Sequence, residues 1–194
     1  MADHVLIQSG AIAIRLMQDD VQDYQLVAKW LTNPAVLECC GGRDSPYPLA
    51  KVLAKYKPRV LAKECVVPCF VLYRALAIGY LQYYSLTDAD KQEYGDYGVG
   101  ESATIYGVDL FIGETSYWNQ GIGTQTLSTA LTYLFEHLQA DKIVIDPRVS
   151  NTRAIRCYEK CGFSKVKQLP EHELHEGIYE DSWLMVADRS RQIS

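Results

Sequence analysis

A chain of 194 residues, 48% hydrophobic and 22% charged, is long enough for a single domain with a sizeable buried core. Its net charge of −5 lacks the basic excess of a nucleic-acid binder and suits a cationic partner. No apolar run approaches the length that crosses a membrane, and Met1 to Ile14 holds no basic start followed by an apolar stretch, so the expected location is cytoplasmic. Cys39, Cys40, Cys65, Cys69, Cys157 and Cys161 are then expected to be reduced, buried or semi-buried thiols. Cys157 and Cys161 would share a helix face, but no His or second thiol pair completes a zinc site, so no metal is expected.

In chain order, Ala11–Met17 reads as a first strand. Asp19 and Asp20 open a helix that turns Val21, Tyr24, Val27, Ala28 and Leu31 inward, and Asn33-Pro34 stops it. Glu38–Asp44 reads as a loop, and Pro48–Leu61 as a second helix with Leu49, Val52, Leu53, Tyr56 and Val60 inward. Cys69–Tyr73 and Ile78–Leu86 read as two strands around a turn at Arg74–Leu76. Thr87–Glu101 is an acidic, glycine-bearing loop, followed by a strand over Ala103–Ile112. The spacing of Leu127, Ala130, Leu131, Leu134, Phe135 and Leu138 predicts the best helix of the chain. Lys142–Asp146 is a short buried strand, and Asn151 caps a helix that Gly162 ends. Phe163–Val166 begins a strand, Pro170–Asp181 reads as a loop with five acids and no Lys or Arg, and Ser182–Val186 closes as a strand. The order implies an α/β (α+β) fold, a mixed central sheet with helices on its faces.

Chemistry concentrates in two places. Tyr117–Thr124 holds two glycines one residue apart directly before the long helix. Such a turn offers backbone N–H groups and the positive end of the helix dipole to a phosphate or pyrophosphate, although alone it is a weak motif, more often a plain glycine-rich helix entry. Asp109 is the second: a carboxylate near the end of the apolar strand Val108–Ile112 must be paired, hydrated or employed.

Gln120-Gly121-Ile122-Gly123-Thr124, followed after one helix and one strand by Asn151-x-x-Ala154-x-x-Cys157-Tyr158-x-x-x-Gly162-Phe163, resembles the GNAT superfamily of acetyl-CoA-dependent N-acetyltransferases. Trp30-Leu31-Thr32-Asn33, Gly41-Gly42-Arg43-Asp44, Val108-Asp109-x-Phe111-Ile112-Gly113, Asp146-Pro147 and Leu169–Gly177 are similar to the aminoglycoside 6′-N-acetyltransferases within it. The likeness covers nearly the whole chain, as one domain over residues 1–194. One departure is Trp118, which stands where the superfamily commonly has Gln or Arg, three residues before the first glycine.

The resemblance implies a sheet with splayed central strands and acetyl-CoA as cosubstrate. Its pyrophosphate would lie on the amides of Gln120, Gly121, Ile122, Gly123 and Thr124. Leu110 and Phe111 would polarise the thioester carbonyl. Asn151, Ala154 and Arg156 would complete the CoA contacts, with Arg153 and Lys160 as further cations near its phosphates. Asp109 would take the proton of the attacking amine, and Tyr158 would hydrogen-bond or reprotonate the departing thiolate. Asp146 binds substrate or caps its strand; Tyr158 acts in this way or packs as a core aromatic. Glu171, Glu173, Glu176 and Asp96 (with Glu101 behind) are candidates to hold the ammonium groups of a polycationic aminoglycoside. His172 and His175 are expected in surface or hydrogen-bonding roles. A monomer or homodimer is expected, with no nucleic-acid or membrane partner. The alternatives are a GNAT enzyme for another small amine or a protein N-terminus, and a non-catalytic acyl-CoA-binding module.

Overall fold

A computed structural model of the chain describes residues 4–88 and 103–191. It divides into two compact units, Met1–Tyr83 with Asp109–Thr129, and Tyr84–Val108 with Ala130–Ser194. The strands are β1 (Val5–Ser9), β2 (Ile12–Leu16), β3 (Val66–Tyr73), β4 (Leu76–Ser85), β5 (Ile105–Ile112), β6 (Lys142–Ile145), β7 (Ser164–His175) and β8 (Ile178–Asp188). The helices are α1 (Val21–Trp30), α2 (Pro34–Cys39), α3 (Leu49–Val60), α4 (Ile122–Thr132) and α5 (Thr152–Lys160). The eight strands follow the hydrogen-bonded order β1-β2-β3-β4-β5-β6-β8-β7. The sheet is mixed, because β5 and β6 are parallel while β2/β3, β6/β8 and β7/β8 are antiparallel. The β5/β6 pairing joins Ile105–Gly107 to Lys142–Val144, and β5 continues to Ile112 beyond its last pair.

In the first unit, Asp20 caps α1 by accepting from the Gln22 N–H at 2.8 Å. The inward face of α1 is Asp23, Tyr24, Val27 and Trp30; Val21, expected inward, is exposed. Asp23 takes an inward position because Arg15 of β2 meets it with two hydrogen bonds, at 2.8 and 2.6 Å. Tyr24, Val27, Trp30, Val52, Tyr56, Phe70 and Tyr80 form the core of this unit. Trp30 is fully buried and meets the edges of Phe70 and Phe111, at 5.5 and 6.2 Å between centroids.

The second unit has its own core of Leu86, Ile105, Val144, Leu169, Leu184 and Val186. After α4 the chain continues as a π-helical turn over Tyr133–His137.

Four expectations are corrected. β1 is an additional strand, paired antiparallel with β2. Asn33-Pro34 does end the α1 region, but it also begins α2: Asn33 accepts from the Ala35 N–H at 3.0 Å, and Pro34 sits at the first turn. Pro170–Asp181 is not a loop. It is the end of β7, a two-residue turn and the start of β8, with His175 paired to Ile178. Glu176 and Gly177, at φ +50° and +79°, form that turn, both in the left-handed region that tight hairpins require. Finally, all six thiols are free as expected, but Cys65 is exposed, and burial pushes the Cys69 thiol up to about 12.

Gly79 on β4 sits where β5 approaches most closely. A Cβ there would lie 2.4 Å from the Phe111 carbonyl oxygen and 3.0 Å from the Ile112 Cα. Both are backbone atoms that cannot swing aside. Gly79→Ala is expected to destabilise the protein by about 2 kcal/mol, within the usual range for overpacking. Urea denaturation reads this, and an unchanged midpoint would show that the strands part without strain.

Candidate active site

The first unit carries the carboxylate and the glycine turn on one continuous stretch. Asp109, Leu110 and Phe111 lie half-buried on β5. Asp109 Oδ2 accepts a hydrogen bond from Gln82 Nε2 of β4 at 2.6 Å. Phe111 stacks on Tyr80, with centroids 5.6 Å apart. The chain leaves β5 through Gly113, where a Cβ would strike the Trp30 indole at 2.2 Å. Glu114 then accepts from the Trp30 indole N–H at 2.9 Å and from Lys29. Burial acts to raise the Glu114 carboxyl, but the Lys29 and Trp30 donors outweigh it and hold the group below its ordinary value.

A short 3-10 turn (Thr115–Tyr117) leads to Trp118, whose indole N–H donates to the Ile112 carbonyl at 2.7 Å. The residue at the departing position is thus tied to the end of β5. Gln120 Nε2 donates to the Ser116 carbonyl at 2.7 Å, so this side chain also braces the turn. Asn119 and Gly121 have positive φ, +59° and +74°. A Cβ at Gly121 would meet nothing within 4 Å, so the turn presents open space. The Gly121 carbonyl accepts the Gln125 N–H at 3.0 Å and opens the helical ladder. Ile122, Gly123 and Thr124 form the first turn of α4, the end of a helix that favours negative charge. A helix start of this kind is suited to anions in general.

The second unit carries the other predicted residues. Asn151 accepts the Ala154 N–H at 3.2 Å as the cap of α5. Ile155 and Tyr158 form the buried face of α5, and Arg153, Arg156 and Lys160 are exposed. The Tyr158 ring lies 6.1 Å from that of Phe163. Asp146, directly after β6, meets His172: Nε2 lies 2.9 Å from Oδ2.

Two acids of the hairpin, Glu173 and Glu180, gather around Arg148, a buried guanidinium. It donates to Glu180 at 2.8 Å and lies 3.6 Å from Glu173. Glu180 also accepts from the Ser150 hydroxyl at 2.5 Å. The Ser150 hydrogen bond is the main cause holding Glu180 below its ordinary value; burial opposes it and Arg148 assists. Glu173 differs: burial raises its carboxyl, Arg148 only partly offsets this, and the nearby Asp146 and Glu180 charges push the same way as burial.

The structure therefore brings Glu173 into the Arg148–Glu180 cluster, while Glu171 and Glu176 fall elsewhere on the hairpin. Glu171 is exposed, at φ +49°, with its N–H donated to Asp181 Oδ1 at 2.9 Å. Glu176 lies in the turn. His175 is buried rather than at the surface, and its Nδ1 has no hydrogen-bond partner among the described residues. Asp96 and Glu101 lie outside the described residues. Sequence reasoning missed Gln82, Arg148 and the bracing role of Trp118. A Gln inside an apolar strand was the available signal for the first.

Residues 19–170 match the acetyltransferase (GNAT) domain family. The chain belongs to the GNAT acetyltransferase family. An aminoglycoside N(6')-acetyltransferase type 1 of Klebsiella pneumoniae is 35% identical over 160 residues, covering 81% of this chain and 76% of that protein. Among solved structures, AAC(6')-Ib in complex with coenzyme A and kanamycin is 29% identical, with a TM-score of 0.71 over 94% of this chain and 99% of that one. The same enzyme with ribostamycin and coenzyme A superposes with a TM-score of 0.73 over 95% of this chain and 97% of that one. An N-alpha-acetyltransferase of Sulfurisphaera tokodaii is 39% identical over 71 residues, 37% of this chain and 41% of that protein.

The Glu114 contacts lead to a pH-dependent prediction. A carboxyl held below its unfolded value of about 4.3 stabilises the fold above that value, and the contribution disappears as pH falls through the folded value. Lys29 is largely exposed, so its share is screened. Glu114→Gln is expected to lower the unfolding free energy at pH 7 by roughly 1 kcal/mol, with the deficit closing below about pH 4. Denaturation curves at both pH values check this; a deficit that stays constant would remove the charge as its source.

Proposed function

We propose that this protein transfers the acetyl group of acetyl-CoA to the 6′-amine of aminoglycoside antibiotics and so confers resistance. The observation that carries this reading is the 35% identity to an aminoglycoside N(6')-acetyltransferase along 81% of the chain. The geometry of each unit is consistent with it: an open glycine turn at a helix start, a half-buried carboxylate on the adjoining strand, and an acid-rich hairpin suited to a polycation.

In this reaction the amine nitrogen attacks the thioester carbon, the C–S bond breaks, and the amide forms. The sugar amine is largely protonated at neutral pH, as a lysine is, and must lose a proton to attack. Asp109 accepts it, directly or through a water, and Tyr158 supplies a proton to the departing thiolate. The amides of Gln120 to Thr124 hold the pyrophosphate, with Asn151, Ala154 and Arg156 as the CoA contacts from α5. Leu110 and Phe111 present the backbone that polarises the thioester carbonyl. On the substrate side, Asp146, Glu171, Glu173 and Glu176 bind ammonium groups, and Asp96 is proposed with them from its sequence position alone. The reading places the enzyme in the cytoplasm as a monomer or homodimer. A protein N-terminus as acceptor is the second reading. It rests on the match to the N-alpha-acetyltransferase, which spans much less of the chain.

Free-thiol release from acetyl-CoA, followed with kanamycin A and with its counterpart bearing a 6′-hydroxyl in place of the amine, tests the assignment. Turnover with the amine alone is expected. Binding of acetyl-CoA with no turnover of kanamycin, or peptide acceptors that outcompete it, would defeat the reading. Asp109→Asn is expected to reduce kcat by about 10²-fold or more, as loss of a general base does, while Tyr158→Phe lowers it less.

A further inference from the structure

We infer that Gln82 is a positioning residue for the base: its amide, held from behind by Arg59 and Tyr80, aims one N–H at the Asp109 carboxylate and keeps it oriented and ionised. The inference rests on the reading of Asp109 as the base. Gln82 Oε1 accepts from Arg59 Nη1 at 2.9 Å and from the Tyr80 hydroxyl at 2.9 Å. A guanidinium has no acceptor, so the amide oxygen must face Arg59 and the amide nitrogen must face away. That nitrogen lies 2.6 Å from Asp109 Oδ2.

An ionised carboxylate only accepts hydrogen bonds. Donation thus runs in one direction, from Arg59 and Tyr80 through Gln82 to Asp109, and each bond polarises the next. Other charged and titratable groups stand beside this relay: Lys55 Nζ lies 5.7 Å from the Tyr56 ring centre, Cys40 and Tyr47 lie near Tyr56, and Cys69 lies near Tyr80. Arg59 of α3 is largely buried, pairs with Glu64 at 2.9 Å and lies 5.7 Å from the Tyr56 ring centre. Burial raises the Tyr56 and Tyr80 phenols well above their ordinary value, so both remain neutral. Arg59 is the cation bonded to this amide, and it reaches Asp109 through a neutral group that neither takes nor releases a proton.

The test is the pH profile of kcat/KM for kanamycin A acetylation, from about pH 5 to 9. Parent, Gln82→Glu, Tyr80→Phe and Asp109→Asn are compared, with thermal unfolding measured on each. Gln82→Glu keeps the side-chain length and the Arg59 contact but sets a second carboxyl against Asp109. Two carboxyls in contact share a proton, so the acidic limb is expected to move up by about one pH unit or more while the unfolding temperature stays near that of the parent. Tyr80→Phe removes one donor to Oε1 and is expected to move the limb the same way by less; if Gln82→Glu does not fold, this variant decides. Because the substrate is the same throughout, its own titration cannot produce a difference. A fall in rate with an unmoved limb in these variants overturns the role of Gln82 and leaves Asp109 as the base. Parent-like rate and limb in Asp109→Asn overturn the base itself, and this inference with it.

Discussion

The first unit depends on the burial of Trp30. Its indole is fully enclosed, and a buried N–H without an acceptor is costly. Glu114 supplies that acceptor, and Gly113 has no side chain because the indole occupies the place a Cβ would take. The end of β5 is thereby fixed to α1. Since Asp109, Leu110 and Phe111 precede this corner and the glycine turn follows it, one tryptophan sets the frame for both. Trp118 adds a second tie, from the turn back to the Ile112 carbonyl. In the proposed reaction, a position that could have offered a polar side chain to a phosphate instead braces the backbone of the turn. The two roles are compatible because the phosphate-binding capacity of such a turn lies in main-chain N–H groups and the helix dipole.

The second unit depends on a buried cation. Arg148 is almost entirely enclosed, and a guanidinium removed from water is tolerated only when paired. The hairpin supplies Glu180 at close range and Glu173 farther off. This asymmetry leaves Glu173 with less compensation, consistent with its raised carboxyl. A carboxylate that is incompletely compensated gains more from an arriving ammonium group than a solvated one does, which favours Glu173 over Glu171 as a holder of substrate in the proposed reaction.

The elements built on apolar periodicity were legible in the sequence. α1, α3, α4 and α5 follow the helical repeat, and Asp20, Asn151 and Gly162 mark their ends as their chemistry predicts. The misreadings share a cause, since each depends on a contact that apolar periodicity does not report. Val5–Ser9 is mostly exposed, with no inward face to announce it, and becomes a strand because β2 lies beside it. The acid run from Glu171 to Asp181 reads as solvated until Arg148, far earlier in the chain, places two of its carboxylates. Asp109 was legible because a lone carboxylate in an apolar strand is conspicuous. Gln82 was not, because its significance lies in what Arg59, Tyr80 and Asp109 do together, and these come from three separate elements.

The same local partners separate the two strand-end carboxylates in the proposed reaction. Asp146 is in contact with His172, and an imidazole is itself a place for a proton near neutral pH. Asp109 is held by an amide, which fixes the carboxylate without competing for the proton. A base must accept a proton from the attacking amine at a defined atom and hold it through the transition state. A group that only has to attract an ammonium ion needs charge but not sole possession of the proton. On these grounds the amide-held Asp109 suits the base, and the imidazole-paired Asp146 suits the recognition of substrate.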